Sequence, residues 1–204
     1  VGIAKSAGAN NPCTFSLKLE ALSTIQKSQI TDDRQALLQE LQARKELLTE
    51  ILACAIEETQ AIAVTLERAQ IPQNEPRLEK LRTQLEDELQ GVMNFYETQT
   101  AKIQNLGLQG SKDLARTVLG WRASNVVPVK VNIASFLLWL RNQELFRAAD
   151  QRFFEIAHVL PALNLAEYTD VQTLLYSAQE NLHKANATNE EIKKLFIERV
   201  IPDD

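Results

Sequence analysis

The chain has 204 residues, of which 45% are hydrophobic and 24% are charged, and its formal net charge is −5. This length allows a domain with a substantial core, and the composition is ordinary for a folded soluble protein. Acidic and basic residues are mixed along the chain, which argues against binding to nucleic acid or to anionic lipid. With only six glycines and six prolines, long helices with few connections are favoured over a β-sandwich.

Residues 1–12 are small and polar, which predicts a flexible arm. The sequence begins at Val1 and carries no apolar leader, so we expect an exported protein whose signal peptide has been removed. In an oxidising compartment Cys13 and Cys54 would close a loop of about 40 residues, worth roughly 4 kcal/mol. The alternative is two buried thiols in a cytosolic protein. We favour the bridge because it would anchor the arm.

The first half of the chain predicts a long antiparallel helical hairpin. A short helix over 17–28 precedes a helix over 31–71, capped by Thr31 and about 60 Å long. A second helix, over 75–106, follows a short turn in which Asn74 is the expected N-cap. Gly107 is expected to end it in a left-handed conformation.

Heptad and helical spacing carry this prediction. The first helix repeats apolar residues at two heptad positions, with Lys45 and Thr59 as exceptions: Leu38, Leu41, Leu48, Leu52, Ala55, Ile62, Leu66 and Ala69. The second helix has one apolar face: Leu78, Leu81, Leu85, Leu89, Val92, Tyr96, Ile103 and Leu106. Both stripes predict coiled-coil-like packing, with the first helix contacting more than one neighbour.

A third helix over 112–160, capped by Ser111, is predicted to be the centre of the fold. Its segment from Val126 to Leu140 is apolar nearly all round, which predicts a helix covered by neighbours on several faces. The segment is too short to span a bilayer, so we predict no transmembrane segment. Pro128 lacks an amide donor, which predicts that the helix kinks there, or ends near Asn125 and restarts.

Two short helices are predicted after Pro161. Each begins with a capping-box pattern, at Thr169 and at Thr188. The fold prediction is therefore all-α: an elongated helical bundle of a long antiparallel hairpin, a Pro-bent third helix and two short C-terminal helices. We expect one domain over residues 1–204, and the abrupt end at Asp204 leaves open that the natural chain continues.

Two Glu-x-x-His motifs form the sharpest chemical pattern: Glu155 with His158, and Glu180 with His183. In di-iron helical bundles such motifs supply metal ligands that point into the core. The helix of the first motif has an apolar stripe that is expected to face the core: Leu145, Ala149, Phe153, Ile156 and Leu160. His158 lies about 180° and Glu155 about 120° from this stripe at 100° per residue. Glu180 and His183 lie similarly off the stripe of the next helix: Val171, Leu174, Leu175, Ala178, Leu182 and Ala185. This direction favours two solvated pairs, and the sequence predicts no catalytic residues and no cofactor.

A second candidate site surrounds the predicted helix break, where Trp121, Arg122 and Asn125 precede Pro128 and Asn132 follows it. Aromatic and arginine side chains beside a break could line a binding groove. The alternative is that they fill space around a kink and satisfy its freed carbonyl groups.

The central stretch resembles predicted exported helical proteins of small-genome, candidate-phylum bacteria. The residues that carry the resemblance are Asp113-Leu114-Ala115-Arg116, Trp121-Arg122, Asn125, Pro128, Phe136 and Trp139-Leu140-Arg141-Asn142-Gln143. The resemblance extends over most of the chain and includes both cysteines. It implies export and a single Cys13–Cys54 bridge, and no catalytic residues.

These observations predict a non-catalytic extracytoplasmic module that acts by binding protein: a scaffold, a surface-attachment protein or a subunit of an envelope complex. Self-association is equally consistent with such a module. One alternative is a small-molecule sensor with a pocket near Pro128. Another is a di-metal carboxylate enzyme, which requires the Glu and His residues named above to face inward.

Overall fold

A computed structural model describes residues 13, 20, 22–24, 34–72, 75–163 and 168–200 of the chain. Of these residues 93% are helical and none lies in a strand, so the all-α prediction is confirmed. The five long helices described are α1 (Arg34–Glu67), α2 (Pro76–Lys102), α3 (Leu108–Trp121), α4 (Val127–Ala162) and α5 (Thr169–Val200).

The chain packs into two compact units. Unit 1 comprises Val1–Thr65 and Asp87–Val129, and unit 2 comprises Leu66–Glu86 and Lys130–Asp204. Both α1 and α2 therefore contribute to each unit. The expectation of a single domain over the whole chain stays a prediction.

Unit 1 contains the open end of the predicted hairpin, opposite the turn, where the first part of α1 lies beside the end of α2. Lys45, in the first part of α1, donates a hydrogen bond from Nζ to the backbone oxygen of Gln104, which lies just beyond α2, at 2.7 Å. This contact is the one expected when two consecutive helices run antiparallel. The buried cluster draws on α1, α2, α3 and the turns that flank α3: Leu48, Leu52, Ala55, Val92, Tyr96, Ile103, Leu114, Val118 and Val126.

The disulfide prediction is confirmed: Cys13 is bonded to Cys54, with 6.1 Å between their Cα atoms. Cys54 is half-buried on α1 next to Ala55, which belongs to the buried cluster of unit 1. The bond therefore fixes a residue near the N-terminus to the core of this unit.

Unit 2 combines the end of α1, the start of α2, most of α4 and all of α5. Its buried apolar side chains come from all four: Leu66, Leu78, Leu81, Leu85, Ile133, Phe136, Trp139, Leu140 and Ile197. Trp139 donates from Nε1 to the backbone oxygen of Asn189 at 3.1 Å, and Lys193 on α5 pairs with Glu75 at the start of α2. These contacts fix the second half of α5 in place.

The central helix neither ends nor restarts at Pro128. Helices α3 and α4 are joined by a π-helical turn, Arg122–Val126, and form one continuous helix over Leu108–Ala162. The amide of Val127 bonds the oxygen of Arg122, five residues earlier. A widened turn directly before a proline accommodates its ring and its missing donor without ending the helix.

The prediction that the apolar segment is covered on several faces is wrong. Ile133, Phe136, Trp139 and Leu140 are buried, but Val131 and Leu138 are more than half exposed. The apolar residues all round this segment reflect one buried face and one apolar face that no described residue covers.

The prediction of two short C-terminal helices is also wrong, because α5 runs without a break from Thr169 to Val200. Thr188 does not cap a helix: its hydroxyl donates to the backbone oxygen of Lys184 at 3.1 Å, one turn earlier in the same helix. A threonine can make this bond within a helix, so the capping-box pattern did not mark a helix start.

The predicted ends around Gly107 need correction as well. Gly107 has φ −81 and ψ −177, an extended conformation, and is the N-cap of α3, whereas Ser111 is buried inside that helix and donates to the oxygen of Leu108. Helix α2 instead ends in a 3₁₀ turn, Ile103–Asn105. The predicted caps Thr31 and Asn74, and most of the predicted helix over 17–28, lie outside the described residues.

Candidate functional site

An open apolar groove lies where α4 and α5 run side by side in unit 2. Its volume is about 480 Å³, and it lies between the second half of α4 and the first half of α5. The described residues that line it come from these two helices: Ala149, Arg152, Phe153, Ile156, Leu160, Val171, Leu174, Leu175, Ala178 and Leu182. The two helices are antiparallel, because Leu160 near the end of α4 and Val171 near the start of α5 line one smaller pocket, whereas Trp139 earlier on α4 bonds Asn189 later on α5.

Helical spacing explains why these side chains share the groove. On α4 the lining residues follow at intervals of three, one, three and four positions, and the same intervals recur on α5, so each set lies on one helix face. The sequence predicted both faces as inward-facing stripes. In the structure Ile156 is 55% exposed and Leu174 is 71% exposed, so both stripes border a groove that the described residues leave open.

The apolar face extends beyond the groove along α4. Val131, Leu138 and Leu145 follow at intervals of seven residues, and Val159 continues this series after Arg152. All four apolar members are between 48% and 60% exposed. A seven-residue repeat keeps side chains on one side of a helix, so α4 carries an exposed apolar stripe from Val131 to Val159 that is interrupted at Arg152.

Charge is sparse in the groove. Among the described residues that line it, Arg152 is the one that carries a charge. Glu155, next to Ile156 in sequence but not part of the lining, accepts a hydrogen bond from Gln151 at 2.9 Å. A surface with this composition can remove apolar side chains from water, but it offers few groups that could orient or activate a polar substrate.

The predicted groove near Pro128 has a different character. The indole ring of Trp121 stacks on Phe95 with 3.6 Å between ring centroids, and Tyr96 meets Trp121 edge-on at 5.9 Å. Arg122 lies 3.7 Å from the carboxylate of Glu58. Trp121 therefore packs against the core of unit 1, and Arg122 lies at its surface.

Asn125 satisfies a carbonyl group in the π turn, because its side-chain amide donates to the backbone oxygen of Trp121 at 3.1 Å. Asn132 is half-buried and belongs to unit 2. Trp121 and Asn125 thus take the space-filling and carbonyl-satisfying roles that the sequence offered as the alternative to a groove. A binding role for these residues stays a prediction.

Tyr96 is the buried titratable group of this region. Burial raises its pKa above the usual 10.0, the nearby Arg122 lowers it, and Glu58 raises it. Since burial is the largest of these effects, the phenol stays neutral over a wider pH range than a tyrosine in water. A neutral phenol suits this packed aromatic cluster, in which the Tyr96 ring meets Phe95 and Trp121 edge-on.

The four residues of the Glu-x-x-His motifs are exposed: Glu155, His158, Glu180 and His183. Glu180 pairs with Lys184 at 2.6 Å on the same helix. Among the described residues, no three His, Cys, Asp or Glu side chains are grouped closely enough to hold a metal ion. The structure gives the di-metal hypothesis no shared set of ligands.

The continuous helix Leu108–Ala162 is long enough to cross a membrane, contrary to the argument from the short Val126–Leu140 segment. It contains an 18-residue window with a mean hydropathy of 1.3, of which 28% is buried. Core helices of soluble proteins pass the same test of length and composition. A membrane is therefore one of the binding partners that an experiment has to distinguish.

Sequence reasoning named the groove-lining residues as helix stripes but missed that they form an open site. A usable signal was present: α4 has more apolar residues than one buried face needs, including Val131 and Leu138 outside the predicted stripe. Excess apolar surface on a helix indicates either a second neighbour or an exposed binding face. The chain matches no family model, no curated protein and no solved structure.

Proposed function

We propose that the chain is a non-catalytic, extracytoplasmic helical module that binds protein through the α4–α5 groove. The open groove carries the proposal, because water-exposed apolar surface of this extent on a folded protein marks an interaction site. A scaffold, a surface-attachment protein and a subunit of an envelope complex all use such a surface. The groove can bind the apolar face of a helix, and such binding involves no chemical reaction.

Two observations support the non-catalytic part of the proposal. Among the described residues that line the groove, Arg152 is the single charged one. The side chains of the two Glu-x-x-His motifs on the same helices are exposed and are not part of this lining. General acid–base or nucleophilic chemistry needs positioned polar groups beside the substrate, and the groove walls do not supply them.

The location outside the cytoplasm rests on the Cys13–Cys54 bond and on the resemblance to exported proteins. Disulfides persist in oxidising compartments and are rare where thiol reductants are abundant. The proposal therefore predicts that protein isolated from its own cells without reductant has no free thiol.

Site-specific photo-crosslinking tests the binding function. A photo-reactive phenylalanine analogue replaces Leu174 in the full chain, which is made in its own cells, irradiated and analysed by mass spectrometry. A matched variant carries the analogue at Tyr176, which is 69% exposed, similar to Leu174, but faces away from the groove on the same helix. We expect polypeptide adducts at position 174 that are absent at position 176.

Substituting Ile156→Glu in the opposite wall provides the second control. It places a charge in the groove without touching the photo-reactive position, so groove-specific adducts should fall at least several-fold. Adducts confined to lipid or to a small molecule, or equal yields from both positions, would contradict the proposal.

A small-molecule sensor is the second candidate, because a volume of about 480 Å³ lies in the range of ligand pockets. The groove differs from the pocket predicted near Pro128, and it lacks the convergent polar groups that orient a small ligand. Native mass spectrometry of the protein from its own cells separates the two candidates. Retained small-molecule mass that Leu174→Glu removes would favour the sensor over the binding module.

A further inference from the structure

The uncovered apolar face of unit 2 spans two antiparallel helices. The groove is lined by residues 149–160 of α4 and 171–182 of α5, and Trp139 bonds Asn189, so α4 and α5 stay side by side for most of their length. Towards Asn189 the unit has the start of α2 as a further neighbour, where Lys193 pairs with Glu75. Around Ile156 and Leu174 the described residues that line the groove all belong to α4 and α5.

A pair of helices with one open apolar face is half of a four-helix bundle. Such bundles bury the apolar faces of two helical hairpins against each other. When both hairpins come from copies of one chain, a twofold axis makes the interface self-complementary without any further design. The small side chains in and beside the stripe, Ala148, Ala149 and Ala178, allow two such faces to approach closely.

The available area matches what a dimer needs. Seven large apolar residues on this face are about half exposed or more: Val131, Leu138, Leu145, Ile156, Val159, Leu163 and Leu174. Each exposes on the order of 100 Å² of apolar surface. Their sum, roughly 700 Å² per copy, approaches the ~800 Å² that each partner buries in a stable complex.

The charges of the face suit another protein copy better than a lipid bilayer. Arg152 interrupts the stripe halfway along. Arg141 and Glu155 lie beside the stripe, each three residues after one of its members and four residues before the next. A face with both signs at its edge can pair with a second copy that presents the same charges. Arg152 in the stripe opposes insertion into hydrocarbon, and the net charge of −5 opposes adsorption to anionic lipid.

We infer that the α4–α5 face is the interface of a homodimer, in which a second copy of this chain covers the groove. The inference rests on the proposed function and deepens it by naming the bound protein. The dimer closes a four-helix bundle made of two α4–α5 hairpins, and it buries the exposed stripe of both copies.

Sedimentation velocity of the full chain from about 1 to about 100 μM tests the inference, because an interface of this area is populated as a dimer in that range. We expect a dimer for the natural sequence. The variants Ile156→Glu and Leu174→Glu should be monomers at concentrations at least tenfold above the natural chain's dissociation constant. Tyr176→Glu should dimerise like the natural chain.

Both groove residues are mostly exposed, so the variants should fold, and unchanged helical circular dichroism verifies this for each. Leu174→Gln serves as a milder variant that weakens the dimer without adding charge. A natural chain that stays monomeric, or a dimer that Ile156→Glu and Leu174→Glu leave intact, would overturn the inference. So would equal loss of the dimer in Tyr176→Glu, since association would then use another face.

The crosslinking experiment separates failure of the dimer from failure of the binding function. Adducts between the photo-reactive residue at position 174 and a second copy of the chain support both the homodimer and the binding function. A monomeric chain whose position 174 crosslinks to a different polypeptide overturns the homodimer and leaves the binding function standing. A monomeric chain that yields only lipid adducts, and that floats with phosphatidylglycerol-containing vesicles, overturns both.

Discussion

Leu52 and Leu38 occupy the same heptad position of α1 but differ in burial. Leu52 is fully buried in the core of unit 1, whereas Leu38 is 58% exposed. Leu52→Ala should lower the free energy of unfolding by about 2–5 kcal/mol, because it removes buried methyl groups and leaves a cavity. Leu38→Ala should change it by less than about 0.5 kcal/mol. Urea unfolding followed by circular dichroism measures both, and equal losses would contradict the assigned burial.

The burial of Tyr96 predicts that the free energy of unfolding depends on pH, which is also an effect of a single residue. Burial raises its pKa in the folded chain above the unfolded value near 10.0. The stabilisation by the neutral phenol is therefore fully present below about pH 10 and is lost as pH rises through the higher folded-state pKa. The free energy of unfolding should fall less steeply above pH ~10 in Tyr96→Phe than in the natural chain.

Tyr176→Phe is the matched control for this titration, since Tyr176 is exposed on α5. Urea unfolding at a series of pH values measures the slope for each variant. If Tyr96→Phe and Tyr176→Phe retain the same slope as the natural chain, burial of the Tyr96 phenol does not govern alkaline stability.

At the scale of elements, Thr188 distinguishes one helix from two. As an N-cap it would contribute about 1 kcal/mol, which Thr188→Ala would remove. In a continuous α5 its hydroxyl bonds the oxygen of Lys184, and alanine has the higher helix propensity. We therefore expect Thr188→Ala to change the free energy of unfolding by less than about 0.5 kcal/mol or to stabilise the chain.

Amide hydrogen exchange over α5 checks the same point independently. A continuous helix keeps the amides around Thr188 hydrogen-bonded to the preceding turn, so their exchange should be as slow as that of neighbouring turns. Rapid amide exchange at Thr188, together with a free energy of unfolding about 1 kcal/mol lower in Thr188→Ala, would instead support two separate helices.

At the scale of the whole molecule, the disulfide joins residues 41 positions apart. Replacing both Cys13 and Cys54 by alanine should lower the free energy of unfolding by roughly 4 kcal/mol, because the unfolded chain gains freedom. Thermal unfolding with and without reductant measures the effect, and reduction of the natural chain should reproduce it. An intact mass that is not about 2 Da below the reduced value would contradict the bond.

The sequence predicted what local chemistry and spacing control. Heptad and helical spacing specified the helical class and the faces of α1 and α2, whereas the first helix ends at Glu67, four residues before the predicted end at Ile71. The buried face of α2 agrees residue by residue: Leu78, Leu81, Leu85, Leu89, Val92, Tyr96 and Ile103. Spacing succeeds on α2 because one face of that helix is buried from Leu78 to Tyr96.

Helix ends were harder, because capping residues have more than one use. Thr188 resembles an N-cap but bonds within a helix, and Gly107 caps the start of α3 rather than the end of α2. Pro128 marked an interruption, yet the chain passes it in a π turn. Each outcome depends on neighbours distant in sequence that hold the helix in place.

The sequence by itself determined that the chain is helical and which side chains share each helix face, and it favoured a bond between Cys13 and Cys54. Only the tertiary structure decided which of these faces is covered. Ile156 and Leu174 carry the same apolar character as Leu52, yet they border an open groove. Periodicity records that a side chain is apolar and where it points, whereas burial depends on whether another element lies opposite it.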